Sequence, residues 1–207
     1  MKLVIGLLLF VISIIIVIIV LDGIIIGFAR PSFGKRAGEK SFLLQNKNRL
    51  ALQRSTECSG FSSAHVLRSF GIEADGNELY AKMPGRWKNG AVLPKSLKKL
   101  LKEYGFQVRF MQGNLDDLKA ELSKGNRVIA FVKTRLDKNW LHYVPIVGYN
   151  EGEVFIAESL SYLTNCREEF FNRRIKAEEF LKYWNTRAWY MPFYKNTYLV
   201  IERRETP

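Results

Sequence analysis

Cysteine and histidine are scarce in this chain: Cys58 and Cys166, His65 and His142 are the full set in 207 residues. No Cys-x-x-Cys or His-x-x-x-His pair occurs. The ligand spacing of a structural zinc site is therefore missing, and neither a metal nor a cofactor is expected. Acidic residues are also few, 20 against 32 Lys and Arg. There is no internal repeat and no low-complexity tract, which excludes a repeat architecture. A disulfide between the two cysteines stays open at this level.

What the chain has in abundance lies at its start. From Leu3 to Leu21 there is no charge, only Ile, Leu, Val and Phe with Gly6 and Ser13, and the run resumes after Asp22-Gly23 as far as Ala29. A helix needs roughly 20 apolar residues to cross a bilayer core, whereas a cleavable signal has an apolar core of about 7–15. Residues 1–29 are therefore read as an uncleaved single-pass anchor in contact with membrane lipid. Gly27-Phe28-Ala29 also has the small-residue form of a cleavage site. Lys and Arg after the run draw the C-terminal part toward the cytoplasm, but with Lys2 alone upstream the side of the membrane is not assigned.

Residues 30–41 read as a polar linker, and 42–207 as one domain of a size that carries its own core. Without residues 1–34, which hold Lys2, Asp22 and Arg30, thirty basic and nineteen acidic residues remain, a net of +11. That charge suits a surface near anionic headgroups. The basic residues are scattered and form no recognition motif, so nucleic acid is not an expected partner.

Apolar spacing at Phe61, Ala64, Leu67 and Phe70 gives a helix starting at or just after Cys58, with Gly71 as its stop. Asp75 is placed to cap a short second helix, Pro94 to open a third, and Asn114 to cap a fourth over Leu115–Lys124. Strands are expected at Phe106–Met111, Arg127–Lys133, Trp140–Tyr149, Glu153–Glu158 and Asn196–Glu202. A hairpin turn at Asn150-Glu151-Gly152 would use a left-handed glycine. Ala177–Trp184 reads as an amphipathic helix. Helices first and an antiparallel sheet later make an α+β domain.

Cys58 thus stands at a helix N-terminus, where unpaired N–H groups favour a thiolate. His142 lies near the start of a strand whose hairpin partner runs to Glu158. Thiol on a helix end facing imidazole on a sheet is a pairing that serves nucleophilic catalysis. His65 lies seven residues beyond Cys58 on the same helix, about 10 Å along the axis and out of proton-transfer range.

The stretch Gln53-x4-Cys58-Ser-Gly-Phe-Ser-Ser-Ala-His-Val-Leu-Arg-Ser-Phe-Gly71, with Leu141-His142-Tyr-Val-Pro-Ile-Val-Gly148-Tyr149, resembles the bacteriocin-processing cysteine peptidases, or double-glycine leader peptidases. The resemblance covers about Leu50 to Val200. It implies a papain-like fold with the N-terminal helix carrying Cys58 and the antiparallel sheet carrying His142 and the acid. It implies a peptide or protein substrate and a catalytic set of Cys58, His142, Glu158 and Gln53. Glu158 would be the acid that orients His142, and Gln53 the side-chain donor of the oxyanion hole. The chain departs from the family at Ser59, where Gly is usual, and at Glu158, where Asp is usual. A tethered binding module that keeps the fold without the catalysis is the alternative these departures motivate. The same dyad could also serve a thioesterase, amidase or transpeptidase. Cys166 is not read as catalytic; Trp140, Trp184, Trp189 and Tyr190 are read as core or cleft residues.

Overall fold

Residues 2–32, 34, 39–188 and 191–203 are described by a computed structural model. The apolar run folds as α1, Lys2–Ile25. Among the described residues it alone is long and apolar enough to cross a membrane, and residues 4–21 are exposed along their whole length. Trp189 and Tyr190 lie outside the described residues.

The chain then enters a sheet. A two-residue strand β1, Arg30–Pro31, runs parallel to Met111–Gln112, and β2, Phe42–Leu43, pairs with Gly148–Tyr149. Three helices follow: α2 (Cys58–Ser69), α3 (Gly76–Ala81) and α4 (Pro94–Glu103). Next come β3 (Phe106–Gln112), α5 (Leu115–Ser123), β4 (Arg127–Lys133), β5 (Leu141–Tyr149) and β6 (Glu153–Ile156). The chain closes with β7 (Arg173–Lys176), α6 (Ala177–Trp184) and β8 (Thr197–Arg203). The sheet order is β1-β3-β8-β4-β5-β6-β7, with β2 beside β5. All these pairings are antiparallel except β1 with β3.

The helix boundaries follow from their end groups. The Asp75 carboxylate accepts from the N–H groups of Asn77 and Glu78. Asn114 and Asp117 form a reciprocal capping box at the start of α5, which satisfies two otherwise orphaned donors. Pro94 occupies the first turn of α4, where its missing N–H costs no helical bond.

Side chains of the central strands alternate between two apolar layers, as a period of two requires. Ile129, Phe131, Leu199 and Ile201 face the layer packed by α2, α3 and α4. Val128, Ala130, Val132, Tyr198 and Val200 face the layer packed by α5 and α6, where Phe180 and Trp184 are buried. Trp184 satisfies its indole by donating to the Thr197 carbonyl at 2.9 Å.

Two expectations need correction. The second hairpin strand ends at Ile156 rather than Glu158, so the acid stands beyond the ladder, free of strand pairing. The Asn150 turn does not use a left-handed glycine, because Gly152 is not among the positive-φ residues. The Asn150 side chain makes the turn instead, accepting from the N–H groups of Gly152 (2.9 Å) and Glu153 (2.6 Å), an Asx-type local mimic of a backbone turn. Trp140 is 60% exposed and Trp184 fully buried, so the aromatic set divides between surface and core.

Candidate active site

α2 is aimed at β5 by contacts one turn into the helix. Ser62 Oγ donates to the Tyr143 carbonyl at 2.8 Å, and both residues are buried. Close packing with α3 fixes the other side of α2. A Cβ on Gly60 would stand 2.1 Å from the Gly76 carbonyl oxygen, so this position requires glycine. The neighbouring Ser59 is fully buried, and its hydroxyl has no partner among the described residues.

This packing brings Cys58, the first residue of α2, beside the His142 ring, close enough for the thiol to act on the ring's charge. On the ring's other edge, Nε2 lies 2.6 Å from Glu158 Oε1. That leaves Nδ1 for the thiol. Glu158 is held by more than the histidine. Its Oε1 also accepts from the N–H groups of Ser159 and Leu160, each at 2.9 Å. Its Oε2 accepts from Arg173 Nη1 at 2.8 Å. The Asn172 amide clasps the Glu158 backbone on both sides, Oδ1 accepting from its N–H (2.7 Å) and Nδ2 donating to its carbonyl (2.9 Å).

The charges are strongly coupled. Burial alone would hold His142 neutral, but the Glu158 carboxylate and then the neighbouring Cys58 raise it to about 9. Burial would raise Glu158, but His142, then the Leu160 N–H and Arg173, lower it to about 2. The arrangement favours an imidazolium against the buried Glu158 carboxylate, which is how a general acid is kept charged.

Gln53 is buried beside this cluster. Its backbone N–H donates to the Ser159 carbonyl (2.8 Å), and its Oε1 accepts from the Ser159 hydroxyl (2.6 Å). One N–H of Nε2 donates to the Ser55 carbonyl at 2.5 Å; an amide nitrogen carries a second. Ser159 therefore links Gln53 to Glu158 through adjacent residues.

The remaining candidates lie apart. Both cysteines are free thiols, so no disulfide silences Cys58. Cys166 packs against Val147, Ala157 and Phe171. His65 is buried in α2, where desolvation and then Arg68 and Arg127 lower it to about 3 and keep it neutral. No cluster able to hold a metal occurs among the described residues.

Arg173, Asn172 and Ser159 escaped the sequence reading. A charged side chain is ordinarily placed at the surface, and the four-residue strand Arg-Arg-Ile-Lys carries almost no apolar signal. The alternation that buries Arg173 and Ile175 and exposes Arg174 and Lys176 was the one available cue.

A helix-borne thiol, a sheet-borne histidine and a carboxylate behind it, on this α+β frame, make up the papain-like class of fold. A model of the Peptidase_C39 like family matches residues 40–189, and the chain belongs to that family. A putative C39-like peptidase from Bacillus anthracis shares the fold with a TM-score of 0.59 at 15% identity, over 81% of this chain and 100% of that one. A double glycine motif protease from an AMS/PCAT transporter, in complex with the leader peptide, does so at 0.55 and 16%, over 76% and 93%. Xylellain, a cysteine protease from Xylella fastidiosa, gives 0.53 and 14%, over 85% and 92%. No curated protein matches.

Proposed function

We propose that this chain is a membrane-anchored cysteine peptidase with Cys58 as nucleophile. The observation that carries the reading is the His142 ring with Cys58 beside it and a buried Glu158 hydrogen-bonded to its Nε2. The Cys58 thiolate attacks the carbonyl carbon of a peptide bond, forming a C–S bond and a tetrahedral oxyanion. The Cys58 backbone N–H and the second Nε2 N–H of Gln53 donate to that oxyanion, an interaction of about 3–4 kcal/mol in such sites. The His142 imidazolium protonates the departing amine as the C–N bond breaks. Neutral His142 then takes a proton from water, whose oxygen attacks the thioester carbon and releases the acid and the thiolate. Glu158 holds one ring orientation and stabilises the charged ring throughout.

A peptide substrate is supported by the relative seen in complex with its leader peptide. α1 serves as the anchor, supported by its length and by the exposure of residues 4–21. Purified full-length protein offered a mixed peptide library should release new amino termini, and Cys58→Ser should abolish them. An equal rate in Cys58→Ser would overturn the reading. Carbonate washing of membranes tests the anchor separately: full-length protein should stay in the pellet.

A further inference from the structure

Two features at the end of α1 lie outside the site. The first is that α1 does not end in a free tether. The Lys95 ammonium donates to the Ile24 carbonyl at 2.8 Å, and the Lys95 backbone N–H donates to the Ile26 carbonyl at 3.1 Å. The Tyr194 hydroxyl donates to the Gly27 carbonyl at 2.7 Å, and Ile26 is buried in the core beside Leu97 and Phe110. Pairing of Arg30–Pro31 with β3 follows at once. The start of α4 therefore sits where the chain leaves α1.

The second is the charge on the outer side of α4. Its apolar residues Leu97, Leu100 and Leu101 are buried, while Lys95, Lys99 and Lys102 are exposed and Lys98 is half-buried. Arg30 stands against the same face, in an open groove that it lines with Lys98, Lys102 and Arg203. Arg109 in that groove is matched by Glu121 and Glu202. Among the described residues, Arg30, Lys98, Lys99 and Lys102 have no carboxylate partner. Four cations without a counter-ion, beside the mouth of a membrane-crossing helix, leave an unbalanced field.

We propose that the face formed by Arg30, Lys95, Lys98, Lys99 and Lys102 rests on anionic phospholipid headgroups and holds the domain against the bilayer in one orientation. The proposal rests on α1 spanning the membrane. If Ile24 lies at the edge of the hydrocarbon, Lys95 lies at headgroup level. Seven residues of helix advance about 10 Å, and the headgroup layer is about 5–8 Å deep on each side. The long Lys side chains make up the difference by extending toward the phosphates. A nucleic acid would have to reach the same side chains in the space beside α1, which the bilayer occupies.

Lysine acetylation by a water-soluble ester, read by mass spectrometry, tests this on the full-length chain in nanodiscs. One set is neutral phosphatidylcholine, the other contains phosphatidylglycerol. Lys98, Lys99 and Lys102 should react at least about fivefold more slowly in the anionic discs, while Lys82 and Lys138 keep their rates. High salt should remove the difference. Lys98→Glu with Lys102→Glu should remove it at Lys99 too, with peptide hydrolysis unchanged. Equal slowing at all exposed lysines, no slowing at α4, or slowing caused by a DNA duplex and not by lipid would overturn the proposal. Failure of the chain to enter neutral discs would refute the anchor alone, and α4 reactivity on anionic vesicles would still decide the basic face.

Discussion

Ser62 and Tyr143 are joined by one buried hydrogen bond, hydroxyl to carbonyl at 2.8 Å. Ser62 lies one turn after Cys58, and Tyr143 follows His142, so this bond sets the thiol-bearing helix in register with the histidine-bearing strand. Ser62→Ala leaves the carbonyl buried and unpaired, which costs about 1–3 kcal/mol. We expect a lower urea midpoint and a lower kcat, with KM little changed. A stability loss with an unchanged kcat would show that α2 keeps its position without the bond.

Glu158 carries both a histidine and a buried arginine, and the two partners call for different variants. Glu158→Ala should lower kcat and also destabilise the fold by about 3–5 kcal/mol, because Arg173 is left as an unpaired buried charge. Arg173→Met removes the cation and leaves Glu158 with His142 and its two backbone N–H donors. Loss of that cation should raise the carboxyl pKa, so the acid limb of the kcat/KM profile should move to higher pH. An unmoved limb with reduced stability would make Arg173 a purely structural group.

The two histidines give the stability curve opposite limbs. His142 is raised to about 9 when folded, so its contribution is fully present below its unfolded value near 6.5 and is lost as pH rises through about 9. His65 is lowered to about 3, so the unfolded chain takes up a proton below about 6.5 while the native chain does not until about 3. Each difference of one proton tilts stability by about 1.4 kcal/mol per pH unit. Glu158, lowered to about 2, adds an acid loss below its ordinary range near 4.5. Stability measured by urea melts should peak near pH 6.5. His65→Gln should flatten the limb from 6.5 down to 4.5, and His142→Gln the limb from 6.5 up to 9.

The parts of the fold that were legible in the sequence are those written by local physics. Asp75 and Asn114 mark helix starts because each accepts from an orphaned N–H within one turn, Pro94 because it has no N–H to orphan, and the alternation along β4 and β8 follows from two buried faces. The hidden parts depend on distant partners. β1 and β2 are two residues each and exist through Met111–Gln112 and Gly148–Tyr149. Arg173 is buried because Glu158, fifteen residues away, waits for it. At the site, helix and strand patterning pointed to Cys58 and His142, and the family resemblance to Glu158 and Gln53. The Ser159 bridge between Gln53 and Glu158 needed coordinates, because a serine hydroxyl has no preferred distant partner in sequence.

The proposed thiolate–imidazolium couple makes the reactivity of Cys58 depend on one histidine and not on the other. His142 stands beside Cys58 and is charged over the neutral range. His65 is on the same helix but two turns on, neutral and buried. Alkylation by iodoacetamide at pH 6 should therefore be fast at Cys58 in the unaltered chain and slow at Cys166. His142→Ala should slow Cys58 by at least about tenfold, the loss that corresponds to about 1.4 kcal/mol of a contacting charge. His65→Ala should leave the rate alone, and Glu158→Gln should fall between, because the ring remains but loses the carboxylate that keeps it protonated. Mass spectrometry of the two cysteine-containing peptides gives both rates in one experiment. If His142→Ala and His65→Ala change Cys58 equally, or neither changes it, the thiol is not coupled to the ring and the papain-like frame is serving another purpose.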